Sequence, residues 1–365
     1  MPWESFGADE RGCNMTLQEI LREATQNGAS DIFLIAGLPV TYKIKGAQKR
    51  SENGIMKPAD ILPLINEIYD TGRRQKTNLE AGLDDDFSFS IPELGRFRVN
   101  VFRQRGTASA VIRVIKFGIP DPEQLGIPEN VLSLADHKTG LVLVAGAAGS
   151  GKSTTLACMI DRINQRRECH VITMEDPIEY LHAHNKSIVS QREVFIDTPG
   201  YLESLRSALR ESPDVILLGE MRDYDTISSA ITAAETGVLL FSTLHTSSAA
   251  NTINRIVDVF PANQQLQVRG QLAQLIRGVV CQQLIMTTEG HLMPVFEVLK
   301  TNPAIQNMIR EGKLHQLDSA MQAASADGMT TMDGSLLDLY NRQLITKEAA
   351  LAACNNYEFM SKRIR

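Results

Sequence analysis

Two kinds of hydrophobic pattern divide the chain. Over Leu17–Gln26 apolar residues recur at helical spacing, and Gly28 follows as a stop signal. Two β-rich stretches come next, DIFLIAG and VTYKIKG, split by Pro39. Helical spacing returns over Pro58–Tyr69. Asp86–Ser90, Arg96–Arg103 and Ser109–Lys116 then read as three strands with turn residues between them. In RFRVNVFR, Phe97, Val99 and Val101 share one parity while Arg96, Arg98 and Asn100 take the other. That strand is expected to show one polar face. Residues 15–117 therefore predict one α+β domain.

A stretch punctuated by Gly118, Pro120, Pro122, Gly126 and Pro128 follows, and residues 118–130 predict a linker. Beyond it the pattern changes. LVLVAG (Leu141–Gly146), HVITME (His170–Glu175), DVILLGE (Asp214–Glu220) and VLLFSTLH (Val238–His245) are short, almost continuous apolar runs. Such runs suit strands buried on both faces of a parallel sheet. Helical segments separate them: Ser153–Gln165, Tyr201–Arg210 and Asp225–Thr236. This alternation predicts an α/β sandwich over residues 131–300. From Ala262 onward the pattern reads as mostly helical, broken by an apolar patch near Met293–Leu299, and residues 301–365 predict a helical C-terminal region. Met321, Met329 and Met332 are expected to pack in a core.

Length and charge narrow the classes. The 365 residues suggest two or three domains at about 100–200 residues each. The 43% hydrophobic and 22% charged content is that of a globular protein, and no apolar run is long enough to span a membrane. Residues 1–14 mix Glu4, Asp9, Glu10 and Arg11 with few apolar positions, so they predict a disordered tail rather than a signal peptide, with Met15 as a plausible natural start. A net charge of −6 argues against nucleic acid as the main partner, since that role needs a concentrated basic surface. The cysteines Cys13, Cys158, Cys169, Cys281 and Cys354 show no zinc-site spacing and read as reduced thiols.

The chemistry begins at GAAGSGKS, Gly146–Ser153, which matches G-x-x-x-x-G-K-[ST]. Gly146, Gly149 and Gly151 let backbone N–H groups turn inward around Ser150 without a Cβ clash. Those groups and the following helix N-terminus form an anion site. Lys152 would contact the β- and γ-phosphates of ATP, and the Ser153 hydroxyl would ligate Mg²⁺. Thr154 and Thr155 begin the helix. A buried-strand run before the loop and a helical run after it supply the context that the motif requires.

Hydrolysis needs more: a further metal contact, a group that orients water, and positive charge on the γ-phosphate. Ligands of open α/β sheets bind beyond strand C-terminal ends, and three such ends carry candidates. MEDPIEY brings Glu175, Asp176 and Glu179, with Glu175 and Asp176 as helpers of the metal. DVILLGE ends with Gly219, where many phosphate-loop enzymes place an aspartate, and then Glu220, the candidate for polarising water. STLHTSS brings His245, which could sense the γ-phosphate. Any one alone would read as a solvated or structural residue. In series on one sheet edge they read as a site.

These residues, with GASDIFLIAGLPVTYKIKG, RFRVNVFRQRG, SQREV, LRESPDVILLGEMRD, AAETG, DVFPANQQ, AIQNMIREGK and MTTMDGSLLDLY, mark a family. The chain resembles the PilT-like ATPases, the retraction motors of type IV pili, within the wider secretion-ATPase superfamily, from about residue 15 to 350. The resemblance implies an N-terminal PAS-like domain joined to a C-terminal RecA-like ATPase domain, homohexameric rings, and ATP held between the two domains. It implies Glu220 as the catalytic glutamate and makes Glu175, Asp176, Glu179 and His245 members of family motifs. It also implies that arginines of the N-terminal domain reach the phosphates, at positions matching Arg98 and Arg113, with Arg103 and Arg105 nearby. Cytoplasmic location at the inner face of the membrane, a platform protein of the pilus machine as partner, and contact with other pilus ATPases follow from it. Two positions depart from the retraction pattern: Gln306 replaces an arginine in AIQNMIRE (Ala304–Glu311), and Phe33 replaces a histidine, close to what accessory PilU-like paralogues show. An accessory or regulatory ATPase, or an assembly ATPase for pilus extension or type II secretion, stays as the alternative. Extension ATPases of the PilB type usually carry extra N-terminal sequence and a four-cysteine insert, features this sequence does not display.

Overall fold

The computed structural model describes residues 15–115 and 118–364. The tail expected over residues 1–14, and Lys116 at the end of the third expected strand, lie outside them. The chain divides between residues 117 and 118 into two compact units.

The first unit holds a six-stranded sheet: β1 (Ala29–Leu34), β2 (Thr41–Ile44), β3 (Ala47–Arg50), β4 (Asp85–Ile91), β5 (Gly95–Gln104) and β6 (Thr107–Ile115), in spatial order β3-β2-β1-β6-β5-β4. All neighbours run antiparallel. The helix Leu17–Gln26 starts at a capping box. Thr16 Oγ1 accepts from the Glu19 N–H, and the Glu19 carboxylate accepts from the Thr16 N–H. Its buried stripe, Leu17, Ile20, Leu21 and Ala24, meets the buried residues of the helix Pro58–Thr71 and of the sheet in one core. In β5, Phe97, Val99 and Val101 are buried while Arg96, Arg98 and Asn100 alternate with them. The polar parity forms the other sheet face, where Arg98 stands directly opposite Arg113 of β6.

The second unit is α/β. Its sheet comprises β7 (Gly140–Ala145), β8 (His170–Glu175), β9 (Ile188–Glu193), β10 (Val215–Leu218), β11 (Leu239–Leu244), β12 (Ile276–Met286) and β13 (Leu292–Lys300), in order β13-β12-β7-β11-β10-β8-β9. Every pairing is parallel except the β12–β13 hairpin. Leu141 and Leu143 of β7 enter one core with Leu205, Ile227 and Ile253, whereas Val142 and Val144 enter the opposite core with Leu156, Met159 and Ile163. Burial on both faces is why these strands read as continuous apolar runs, each such side chain contributing roughly 1.5–3 kcal/mol. The helix Lys152–Arg166 covers one face; Tyr201–Ala208, Tyr224–Glu235 and Ala249–Asp258 cover the other.

The region after Ala262 corrects the sequence reading. Only Ala262–Leu275 is helical there before the chain turns directly into β12, and the patch at Met293–Leu299 is the body of β13. IRGVVCQQLIM is apolar on both faces, so its periodicity does not separate a buried strand from a buried helix. β9 also went unforeseen, because an edge strand reading IVSQRE carries little hydrophobic signal. Residues of the proline-rich stretch pack on the second unit: Ile127 belongs to its core, and Ile119 and Leu125 lie against it. Met321 and Met329 are buried in the main core. Met332 joins a satellite of C-terminal helices packed on Ile285 and Val295.

β13 carries one buried carboxylate. Glu297 accepts from the N–H of Ala249 at 2.6 Å and of Met332 at 3.2 Å, the first residues of the helices Ala249–Asp258 and Met332–Asn341. The positive ends of two helix dipoles stabilise the charge, while burial pushes its pKa up. This contact ties the segment that follows His245 to the sheet.

Candidate active site

Between β7 and the helix Lys152–Arg166 the chain forms a loop built on glycine. Gly146, Gly149 and Gly151 have φ of 149°, 76° and 87°, backbone conformations that strain any residue with a Cβ. The Gly146 N–H still donates to Leu244 O of β11, so the loop leaves the sheet from a fixed point. Gly151 caps the helix, and the Thr155 N–H donates to its carbonyl. The N–H groups at the start of this helix have no partner within it, which leaves them for an anion.

Lys152 lies folded into the loop with 8% of its surface exposed. Its Nζ donates to the carbonyls of Gly146 and Ala147, each at 2.9 Å. Burial lowers its pKa, and the carboxylates of Glu220 and Glu179 oppose that. Thr154 Oγ1 lies 2.8 Å from the Tyr180 hydroxyl, which fastens the first helical turn to the loop after β8.

Gly149, Lys152 and Ser153 line a pocket of about 280 Å³, and Glu175, Asp176, Glu179, Glu220 and His245 complete it. The parallel topology explains the convergence, because β7, β8, β10 and β11 all end at this edge. Glu175 closes β8, where its Oε1 accepts from Thr173 Oγ1 at 2.7 Å and Gln191 Nε2 at 3.3 Å. Burial dominates over those bonds and raises its pKa to about 7. Asp176 and Glu179 are exposed at the pocket rim.

β10 ends one residue before Gly219, and the structure shows why no aspartate stands there. A Cβ at Gly219 would lie 2.8 Å from the Tyr201 hydroxyl and 3.0 Å from Met174 O. The acidic group moves one residue on. One Glu220 oxygen meets Arg222 Nη2 at 2.6 Å and the other lies 3.5 Å from His245 Nε2. The Glu220 side chain is 15% exposed while that of His245 is 50% exposed. A half-buried carboxylate beside a reachable imidazole can take a proton from water and report on what lies above it.

Gly146, Ser150, Gly151 and Thr154 shape the loop and its helix without lining this pocket. Arg98 and Arg113 belong to the first unit. Arg98 grips Asp86 with Nε at 2.9 Å and Nη2 at 2.8 Å, and Arg113 Nε lies 3.3 Å from Asp31 Oδ1. Arg103 donates to Leu79 O at 3.2 Å, and Arg105 occupies a turn with φ of 48°.

The sequence reading passed over Arg222, Tyr180, His182 and Tyr201, all of which line the pocket. Arg222 was visible as the second residue after Glu220. Tyr201 begins a helix far along the chain, and nothing local marks it. Burial lowers the His182 imidazole to about 4, so it is neutral near pH 7.

Comparisons with known proteins fit this geometry. Residues 8–327 match the family described as type II/IV secretion system protein. Over 336 residues the chain is 45% identical to the type IV pilus retractation ATPase PilT of Pseudomonas aeruginosa, covering 92% of this chain and 97% of that protein. It is 38% identical over 356 residues to the type IV pilus ATPase PilU of the same organism, covering 95% of this chain and 92% of that one. Its fold matches the crystal structure of the pilus retraction motor PilT with bound ADP at a TM-score of 0.88 and 45% identity, over 96% of this chain and 100% of the other.

Proposed function

This chain belongs to the type II/IV secretion system protein family, and on that premise we propose that it hydrolyses ATP to power retraction of type IV pili. One observation carries the reading: Lys152, Ser153, Glu175, Glu220 and His245, brought by four separate strand ends, face a single pocket.

Each residue then has a task. The loop N–H groups and the helix N-terminus receive the β- and γ-phosphates of ATP. Lys152 gives up two neutral carbonyls for anionic phosphate oxygens, an exchange favoured because both partners then carry charge. Ser153, Asp176 and Glu179 offer the hard oxygen donors that Mg²⁺ takes, and Glu175 lies beside them. Bound there, Mg²⁺ would neutralise negative charge on the nucleotide. Glu220 accepts a proton from water. The water oxygen attacks the γ-phosphorus, its bond to the β–γ bridging oxygen breaks, and ADP and phosphate leave. His245 senses the γ-phosphate through its contact with Glu220. Arg98 and Arg113, at the positions that match the family's arginines, are proposed as further positive charge for the γ-phosphate.

The working form is a ring of six copies at the cytoplasmic face of the inner membrane. It turns the platform protein of the pilus machine and cooperates with other pilus ATPases. No helix among the described residues is long and apolar enough to cross a membrane. Gln306, half-buried on the helix Pro303–Glu311 beside exposed Arg310, favours a second reading, an accessory ATPase.

Deleting the gene in a strain that keeps its other pilus ATPases tests the proposal. Cells should keep their pili and lose twitching, Lys152→Ala should not restore it, and the purified Lys152→Ala protein should lose at least a hundredfold in kcat/KM for ATP. Normal retraction in the deletion strain would favour the accessory role. Undiminished turnover by the variant would refute the site.

A further inference from the structure

The hairpin that the sequence reading missed does more than widen the sheet. β12 pairs with β7 only as far as Cys281 and Ala145. At the next residue, Gln282, ladder pairing gives way to direct contact with the phosphate loop. Gln282 is 3% exposed, an uncharged amide held among the apolar residues of β12. Its Oε1 accepts from the fully buried Thr155 hydroxyl at 2.7 Å, in the first turn of the helix that follows the loop. Its Nε2 would lie 2.9 Å from a Cβ placed on Gly151, the last residue before that helix. Its backbone carbonyl would lie 2.3 Å from a Cβ on Gly146, the first residue of the loop. One residue therefore touches the strand exit, the helix cap and the first helical turn. A side chain at Gly146 would meet the backbone carbonyl of this position, and one at Gly151 would meet the Gln282 amide.

We propose that Gln282 is a positioning residue for nucleotide binding. It clamps the phosphate loop from behind so that the loop N–H groups converge on one point. The role rests on the ATPase reading and deepens it. Loop residues on flexible backbone would lose part of each N–H bond to phosphate through misalignment, since hydrogen bonds weaken steeply as their angle closes. Gln282 is not among the residues lining the pocket, so it acts through the loop. It also gives β12 and β13, and through Glu297 the segment after His245, a mechanical path to the bound phosphate.

The test uses the full chain and fluorescently labelled ADP as probe. Gln282→Leu and Thr155→Val keep side-chain volume and remove the bond; the double variant removes it once. Each single variant should raise the Kd for ADP about tenfold, which is about 1.4 kcal/mol at 1.36 kcal/mol per decade. The double variant should bind no worse than the weaker single one. Thr155→Ser, which retains the hydroxyl, should recover most of what Thr155→Val loses. Gln282→Glu keeps an acceptor for Thr155 but sets a carboxylate behind an anion site, so it should bind ADP more weakly than Gln282→Leu. Thermal unfolding of each variant separates stability from affinity. A lowered Tm with unchanged Kd would reduce Gln282 to a core residue and overturn the proposal, as would effects that multiply in the double variant. Wild-type protein that fails to bind ADP would instead overturn the nucleotide reading on which the proposal stands.

Discussion

The two sheets of this molecule handle charge in opposite ways. In the second unit, Lys152, Glu175, Glu220 and His245 stand at the ends of buried parallel strands and face a common pocket. In the first unit, Arg98 and Arg113 stand mid-strand on a sheet face, each already paired with a carboxylate of its own unit. Parallel topology gathers polar groups at one edge, where they partner one another and the loops around a common pocket. An antiparallel sheet spreads them across a face, where they pair locally. The second unit thus carries an assembled pocket. The first carries two cations in local ion pairs: Arg98 with Asp86, both partly exposed, and exposed Arg113 with Asp31, whose carboxylate is largely buried.

The largest effect that sharpens this contrast is expected at the arginines. If they trade their carboxylates for the γ-phosphate, Arg98→Ala and Arg113→Ala should each lower kcat by about a hundredfold or more, in the manner of an arginine finger. The Tm of Arg98→Ala should stay close to wild type, because a partly exposed pair adds little stability, while Arg113→Ala should lose more, because it leaves the largely buried Asp31 carboxylate with Lys43 at 4.0 Å. Steady-state hydrolysis alongside thermal unfolding checks both halves. Wild-type kcat in both variants would break the comparison and leave the first unit with ordinary surface ion pairs.

A smaller effect probes the other sheet. Burial raises Glu175 to about 7 in the fold from 4.5. Below pH 4.5 both folded and unfolded states hold the proton. Between these values the unfolded chain ionises first, so stability should fall as pH rises from 4.5 to 7, by up to about 3 kcal/mol. Denaturant unfolding of wild type and Glu175→Gln across that range measures the slope, which the variant should flatten. Equal slopes would mean that Glu175 is not held in a dry site.

Much of this arrangement was legible in the chain. The phosphate loop, the four runs that became β7, β8, β10 and β11, and the polar groups closing them could be read because buried parallel strands write continuous apolar sequence. The alternation of Phe97, Val99 and Val101 with Arg96, Arg98 and Asn100 made the face of β5 visible in the same way. What could not be read depends on distance through space. Nothing around Gln282 signals that it touches Gly146 and Gly151, and nothing around Tyr201 signals that its hydroxyl excludes a side chain from Gly219. β12 was hidden by its own burial, since a strand apolar on both faces has no period to detect. The partners of Arg98 and Arg113 were hidden because Asp86 and Asp31 meet them through sheet register, which periodicity does not specify.

The central claim is that the pocket turns ATP over with Glu220 as the group that takes the proton from water. The Glu220→Gln variant tests it most directly, with ATP affinity and hydrolysis rate measured on the same preparation. Affinity should stay within a few fold of wild type, and kcat should fall by about a hundredfold or more. Near-normal hydrolysis by that variant would contradict the account.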